Sequence, residues 1–420
     1  MKKQSLSIHE GYEKDNQKTM APPIYLSTAY EFDSTQHAAD LFALKQLGNI
    51  YTRLMNPTNA VFEKRLASLE GGTACISTSS GMAAIFGTII NLCEAGDNII
   101  VSSGIYGGTT TLTDHTIKRL GITTKKFDLT KVDSLEKLID DKTKIILFES
   151  LSNPTTVVPD IQTIVNIADK AGVITVVDNT VATPILCNPI KLGCDIVVHS
   201  TSKYINGQGT ALGGAIIDSK NCAKKLKNND KYKHFSEPDM SYHGLVYNDL
   251  PFPAFATRMV LAILRDIGIT ASPMNSWLMT NSLETLYLRI KQHSDNALCV
   301  AKFLTKCQDV KVVNYPGLEN DKNHKFAKKY FCGEYFSGLL SFDVGSLEKA
   351  KTIVDNIKLF SIVVNIGDSK SIITHPASTT HQQLSSDELN KAGISEGLIR
   401  LSIGLEHIDD LIDALKKVIK

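Results

Sequence analysis

Six short apolar runs punctuate residues 74–218: Ala74–Thr78, Asn98–Ser102, Lys144–Glu149, Val173–Asp178, Asp195–His199 and Gly213–Asp218. They are rich in Val and Ile, and apolar side chains stand at successive rather than alternate positions. A strand of that kind has no face to give to water, so both faces must be covered, as in a parallel sheet packed between helices. The intervening stretches supply the helices. Asp160–Ala171 is amphipathic, and Asp133–Asp140 opens with Asp133 and Glu136 at the spacing of a capping box. Strand and helix alternating in this way predict an α/β domain around a largely parallel sheet.

The texture changes on either side. Residues 1 to about 60 hold Pro22, Pro23 and Pro57 and show no sustained period, so they read as an irregular arm packed on a neighbouring subunit. A helix over Val61–Glu70 follows, with Phe62, Leu66 and Leu69 on one face and a Gly71-Gly72 stop. Beyond about residue 265 comes a long helical stretch, Ser272–Lys306, carrying Trp277, Leu283, Leu286, Leu288 and Ile290. Strands Gly338–Val344, Ser371–Thr374 and Leu398–Gly404 and helices Ser346–Leu359 and His407–Lys420 complete a smaller α+β unit. The expected organisation of the 420 residues is therefore an arm (1–60), an α/β domain (61–265) and a C-terminal α+β domain (266–420).

Composition removes several function classes. With 45 Lys plus Arg against 44 Asp plus Glu, the formal charge of +1 leaves no electrostatic footprint for nucleic acid or an anionic membrane. The eight cysteines are scattered without a CxxC pair, which suits reduced thiols in a cytoplasmic protein better than disulfides or zinc. The amino-terminal stretch has no apolar segment of a secretory signal, and no apolar run reaches the roughly 18 residues of a membrane span. His375 and His381 have no further ligand at metal-binding spacing, and Gly207-Gln-Gly209 with Gly213 precedes a strand, so neither a metal nor a dinucleotide is expected. Lys125-Lys126 and Lys416-Lys417 read as solvated faces.

The chemistry is concentrated at the ends of the apolar runs. Val198-His-Ser-Thr-Ser-Lys-Tyr204 is a strand leading into three hydroxyl groups and a lysine. Lys203 at such a strand end overhangs the crevice where α/β folds bind ligands, and lysine is the side chain that condenses with an aldehyde. A solvated lysine after a strand is the competing reading. Val176-Val-Asp178-Asn-Thr180 sets a carboxylate at the preceding strand end, where it can pair with a pyridinium nitrogen or merely cap a helix. Ser79-Ser-Gly81-Met82-Ala-Ala84 turns from a strand into an apolar helix, and free N–H groups there suit a phosphate, although such turns also occur without a ligand. Tyr106, in Ile105-Tyr-Gly-Gly-Thr109, places an aromatic ring at the same edge, to stack on a cofactor or to pack in a loop.

Taken in order, these pieces resemble the Cys/Met-metabolism family of pyridoxal-phosphate (PLP) enzymes, whose fold is the aspartate-aminotransferase-like fold type I. The resemblance runs over nearly the whole chain. It includes Tyr51-Thr-Arg53-Leu-Met-Asn-Pro-Thr58, Ser152-Asn153-Pro154, His375-Pro-Ala-Ser378 and Ile399-Arg400-Leu-Ser-Ile-Gly404. Phe235–Gly244, Arg265-Asp-Ile-Gly268, Leu283-Glu-Thr-Leu286 and Asn365-Ile-Gly-Asp368 leading to His375–Gln383 are similar to the branch that acts on O-acetylhomoserine with sulfide.

The resemblance implies residue roles. Lys203 carries the cofactor and serves as the mobile base, and Asp178 pairs with the ring nitrogen, with Thr180 beside it. Gly81, Met82, Ser200 and Ser202 hold the phosphate. Tyr106 stacks on the ring and assists the leaving group, while Asn153, Arg400 and Asn365 hold the substrate carboxylate. Tyr51 and Arg53 reach the cofactor phosphate of a neighbouring subunit, which requires at least a dimer and, by family habit, a tetramer built as a dimer of dimers. The implied reaction is γ-replacement in methionine biosynthesis. Sulfide or a small thiol displaces acetate from O-acetyl-L-homoserine to give homocysteine or methionine. Cystathionine synthesis, lyase-type elimination and a non-catalytic sulfur-carrier role are the alternatives. This sequence departs from the pattern at Ser202, where most relatives have Thr, and at Asn365, where many have Ser. Gly108 stands where methionine γ-lyases usually carry a reactive cysteine.

Overall fold

The computed structural model describes residues 1–379, 382, 389 and 393–420. Thr380, His381 and Gln383, which belong to the motif read above, lie outside the described residues. The first sheet has seven strands: β1 (Ala74–Thr78), β2 (Asn98–Ser102), β3 (Thr123–Phe127), β4 (Thr143–Glu149), β5 (Ile174–Asp178), β6 (Ile196–Ser200) and β7 (Gly214–Asp218). Their order is β1-β7-β6-β5-β4-β2-β3. The run from β6 to β3 is parallel, and β7 alone runs antiparallel to both of its neighbours. All six predicted runs are strands, and their lack of alternation has the anticipated cause. Ile100, Ile146, Val177, Val197 and Ile217 belong to the apolar cluster on one face, while Ile99, Val101, Leu147, Val176, Val198 and Ile216 belong to the cluster on the other.

The seventh strand, β3, went unread because Thr-Thr-Lys-Lys-Phe is polar. It lies at the sheet's edge, where lysines discourage pairing with another chain. Lys125 bonds Asp140 Oδ2 at 2.6 Å, and Lys126 pairs with Asp114 at 2.8 Å. The expected α-helix over Asp133–Asp140 is instead a 3-10 segment, Val132–Leu138, with no side-chain cap. Asp140 is engaged elsewhere: its Oδ1 accepts from Asn98, Thr143 and the Lys142 amide, which ends the helix before a full turn can follow.

The arm is not irregular throughout. Lys3–His9 and Thr35–Phe42 are helices, the second capped by Ser34. The first is held by contact with helix Pro57–Glu70, where the buried Arg65 donates to Glu10 O at 2.8 Å. That latter helix starts earlier than its apolar face indicates, because Asn56 caps it through the Thr58 amide and Pro57 takes the first helical position. The predicted stretch Ser272–Lys306 is two helices, Pro273–Glu284 and Leu286–Leu304, broken at Thr285.

The second sheet contains β8 (Val312–Asn314), β9 (Leu339–Asp343), β10 (Ser361–Ile362), β11 (Ile372–Thr374) and β12 (Leu398–Ser402) in the order β10-β11-β12-β9-β8. Helices Leu347–Asn356 and Ile408–Lys416 accompany it. All eight cysteines are free. Cys93, Cys187, Cys194 and Cys222 are buried, whereas Cys299 and Cys332 are exposed. No helix among the described residues is long and apolar enough to cross a membrane.

Candidate active site

Parallel strands β4, β5 and β6 end side by side in Glu149, Asp178 and Ser200, so their carboxyl ends set polar groups along one rim. Such a rim is where open α/β sheets bind ligands. A cavity of about 210 Å³ opens there, lined by Gly81, Met82, Tyr106, Asn153, Asp178, Thr180, Ser200, Ser202, Lys203, Asn365 and Arg400. The chain thus brings together every site residue expected from the sequence except Tyr51 and Arg53. Those two lie outside this cavity, with the Arg53 guanidinium 5.1 Å from the centroid of the half-exposed Tyr51 ring.

Lys203 follows β6 and is largely buried. Its Nζ donates to Asn365 Oδ1 at 2.7 Å. Burial first, and the nearby Arg400 charge second, push its pKa down, which favours the free amine a nucleophile or base requires. At the end of β5, Asp178 Oδ1 accepts from the Thr180 amide at 3.0 Å, and Thr180 Oγ1 accepts from the Ser200 amide at 2.8 Å. Burial raises the Asp178 pKa, so a cationic N–H beside it would recover a favourable charge.

Helix Gly81–Leu92 begins at the rim. Ser80 Oγ accepts from Ala83 N at 3.1 Å and leaves the Gly81 and Met82 amides free for an anion. Gly81 is demanded by sterics. A Cβ there would stand 2.6 Å from Ser200 Cβ and 2.8 Å from Ser200 Cα, so any side chain would drive the helix start off the end of β6. A Cβ at Gly108 would meet Tyr106 Cε1 at 2.6 Å, so a side chain there would displace the half-exposed Tyr106 ring. Ser202 Oγ accepts from Gly213 N at 2.9 Å, which fixes the hydroxyl beside the lysine.

Arg400 reaches the cavity from β12 in the second sheet. It is 4% exposed, and its pKa is pushed down to about 10 by burial. Its partners are neutral: Asn365 O at 2.9 Å, Thr374 Oγ1 at 3.0 Å and Asn153 Oδ1 at 3.3 Å. Its Nε is buried without an acceptor. A desolvated guanidinium among neutral acceptors is poised for an anionic ligand. Asn365 meets Arg400 through its backbone oxygen and Lys203 through its side chain.

Sequence reasoning missed Glu149, which lines the cavity at 4% exposure, and the apolar walls Leu151, Leu212, Val364 and Ile366. The signal for Glu149 was present. Ile-Ile-Leu-Phe-Glu ends an apolar run in a carboxylate, as Val-Val-Asp does at Asp178. His375 is satisfied by Ser378 Oγ and Glu396 O, each at 2.8 Å, and no cluster of His, Cys, Asp and Glu suited to a metal occurs among the described residues.

A family model for Cys/Met metabolism PLP-dependent enzymes matches residues 4–420. The chain belongs to this family. Across 430 aligned residues it is 45% identical to the O-acetyl-L-homoserine sulfhydrylase of Leptospira meyeri, covering 100% of this chain and 97% of the relative. It is 44% identical over 416 residues to the homocysteine synthase of Schizosaccharomyces pombe, covering 97% and 96%. The crystal structure of a putative O-acetylhomoserine (thiol)-lyase from Campylobacter jejuni, carrying a pyridoxyl-lysine monophosphate, superposes with a TM-score of 0.98 at 52% identity, covering 100% of this chain and 99% of that one. The fold is therefore PLP-dependent fold type I, and the enzyme is PLP-dependent.

The residues in the cavity fit that cofactor. The close approach at Gly81 creates an amide-lined cradle beside Ser200 and Ser202, Lys203 offers an amine of lowered pKa, and Asp178 offers a carboxylate for a ring N–H. When bound, pyridoxal phosphate supplies an electron sink for charge developing on a substrate carbon.

Proposed function

We propose that this chain catalyses γ-replacement on O-acetyl-L-homoserine, with sulfide or a small thiol as acceptor and homocysteine or methionine plus acetate as products, as a step in methionine biosynthesis. One observation carries the reading. A single cavity presents a lysine of lowered pKa, a carboxylate at the neighbouring strand end and an arginine with no carboxylate partner among the described residues. An α-amino acid presents a carboxylate for the third and an amine for chemistry at the first. The identities of the relatives, acting on O-acetylhomoserine by name, support the choice of ester.

The residue roles follow. Arg400 and Asn153 hold the substrate carboxylate through a guanidinium fork and an amide, which orients the Cα–H bond. Lys203, whose charged form is disfavoured by burial, takes and returns the proton at Cα. Asp178 would keep the cofactor nitrogen protonated; the Thr180 amide holds its carboxylate, and the Ser200 amide in turn holds the Thr180 hydroxyl. The amides of Gly81 and Met82 with the hydroxyls of Ser200 and Ser202 receive the phosphate. Tyr106 lines the same cavity and would stack on the ring and assist departure of the acyl group. Leu212, Val364 and Ile366 give the cavity apolar walls, which suit an uncharged acetyl ester.

Tyr51 and Arg53 complete the phosphate site of a neighbouring copy, which makes the working unit at least a dimer and, in this reading, a cytoplasmic homotetramer. The test is a product assay. The holoenzyme is incubated with the acetyl, succinyl and phosphoryl esters of homoserine, with and without sulfide. Homocysteine and acetate from the acetyl ester are expected. Ketobutyrate and ammonia as the main products in ample sulfide would replace this reading with a lyase.

A further inference from the structure

The last residue of β4 is a carboxylate that the roles above leave unused. Glu149 is buried at the cavity wall and stands opposite Asp178 in the β4–β5 register. Its two oxygens serve two different loops. Oε1 accepts from the Tyr106 amide at 2.9 Å, and Oε2 accepts from the Asn153 amide at 3.3 Å. Tyr106 opens the short helix after β2, and that helix has no side-chain cap of its own. Asn153 lies in the connection after β4, and its Oδ1 receives Arg400 Nη1 at 3.3 Å. A continuous hydrogen-bonded path therefore runs from the second sheet through Arg400 and Asn153 to Glu149, and on to the loop that carries the Tyr106 ring.

We propose that Glu149 is a positioning residue that ties the Tyr106 loop to the Asn153 loop, setting the distance between the ring-stacking group and the corner that receives the substrate carboxylate. The chemistry of the group fits the task. A carboxyl group has an acceptor for each of two amide donors. A glutamine of the same size would turn one of those acceptors into a donor, facing an N–H. One loop would then have to move, and small displacements of positioning groups are felt strongly in reactive sites. Burial, with Asp178 beside it, raises the Glu149 pKa, and an oxygen of the neutral form still accepts from each amide.

The inference rests on the roles assigned to Tyr106 and Asn153 in the proposed function, so its test uses no acyl chemistry. The holoenzyme is titrated with glycine, an unreactive amino acid with an intact carboxylate, and followed by the cofactor's absorption. The cofactor-free chain is titrated with pyridoxal phosphate. Glu149→Gln is expected to weaken glycine binding tenfold or more and pyridoxal phosphate binding several-fold. In an Asn153→Ala background, the same change is expected to add less than threefold to the glycine loss and to keep its full effect on the cofactor. Groups acting through one another show this non-additivity, and independent ones do not. Glu149→Asp, which keeps both acceptors but is one methylene shorter, provides the second variant and should show the same pattern. Wild-type affinities in either variant, or additive losses with Asn153→Ala, overturn the proposal. A wild-type chain that binds glycine but leaves O-acetylhomoserine unchanged would instead overturn the substrate assignment alone.

Discussion

Replacing Arg400 by Met separates what this residue does for the fold from what it does for the ligand. Burial pushes the guanidinium pKa down to about 10, a bias against the charged form worth roughly 3 kcal/mol in the ligand-free chain. Against this stand three hydrogen bonds to neutral acceptors, at 2.9, 3.0 and 3.3 Å, each worth about 0.5–1.5 kcal/mol net. The two contributions nearly cancel. Met is flexible and apolar enough to fill the vacated space, so the melting temperature of the variant should stay within about 4 °C of wild type. A substrate carboxylate bound there would lose its guanidinium partner in a desolvated corner, a loss of about 3–5 kcal/mol. That corresponds to a rise in KM for the amino-acid substrate of about 100- to 4,000-fold at 1.4 kcal/mol per tenfold. Arg400→Lys keeps the charge without the planar fork and should fall between. Steady-state kinetics and thermal melting of the same preparations decide the matter. A KM change below tenfold, or a collapse in melting temperature matched by no loss of affinity, would refute the account of Arg400 as a cation awaiting an anion.

Lys203→Ala should abolish turnover while the chain still folds and releases its cofactor on dialysis, and near-normal activity in that variant would falsify the central assignment. Gly81→Ala places a Cβ 2.6 Å from Ser200 Cβ. Backbone cannot yield as a side chain end can, so a cost of about 1–3 kcal/mol is expected, seen as pyridoxal phosphate affinity reduced roughly ten- to a hundredfold. In the cofactor-free chain, burial raises the pKa values of Asp178 and Glu149 above the ordinary carboxylate range. The folded chain then holds protons that the unfolded chain has released, so stability is greatest below the unfolded value near 4 and falls as pH rises toward the raised ones. These two groups therefore pull the melting temperature down as pH rises between 5 and 8. His234 and His293, whose pKa values burial pushes down to about 4, act in the opposite sense below pH 6.5. Asp178→Asn should remove part of the downward pull. Asp218, pushed up to about 7 by burial, adds to the decline in both proteins and cancels in the comparison. An unchanged slope in the variant would show that Asp178 does not titrate abnormally.

The parallel core was legible because burial on both faces leaves a mark in composition. A strand such as Ile145-Ile-Leu-Phe148 can only be covered from both sides. Asp178 and Lys203 were legible because polar groups ending such strands fall on the ligand rim. What stayed hidden depends on pairing that no local window contains. β3 is a strand only because β2 offers it an edge. Glu149 matters because the register sets it beside Asp178 and two loops bring their amides to it. The helix expected over 133–140 failed because Asp140 bonds to residues as far away as Asn98. The arm's first helix is held by Arg65, whose partner Glu10 lies 55 residues away in the chain. Tyr51 and Arg53 were read from resemblance, and within one chain they lie outside the cavity, with the Arg53 guanidinium over the Tyr51 ring.

The position of Lys203 shows why the second sheet belongs to the site although most of the cavity lining comes from the first domain. The turn after β6 is not held by β6 alone. Arg289, on helix Leu286–Leu304, donates to Tyr204 O at 2.6 Å and to Ile205 O at 3.0 Å, and the absence of a Cβ at Gly207 leaves room for its guanidinium. Gly367, at φ 73°, comes so close to the same turn that a Cβ would stand 2.6 Å from Tyr204 N. Two residues before it, Asn365 receives Lys203 Nζ through its side chain and Arg400 through its backbone. Lys203 and Arg400, proposed as base and carboxylate anchor, are thus referenced to one short segment, 365–367. A rigid shift of the second sheet would carry Arg400, Asn365 and the support of the lysine turn together. The geometry between carboxylate and base would then survive a motion that changed either one's distance from the phosphate cradle at Gly81.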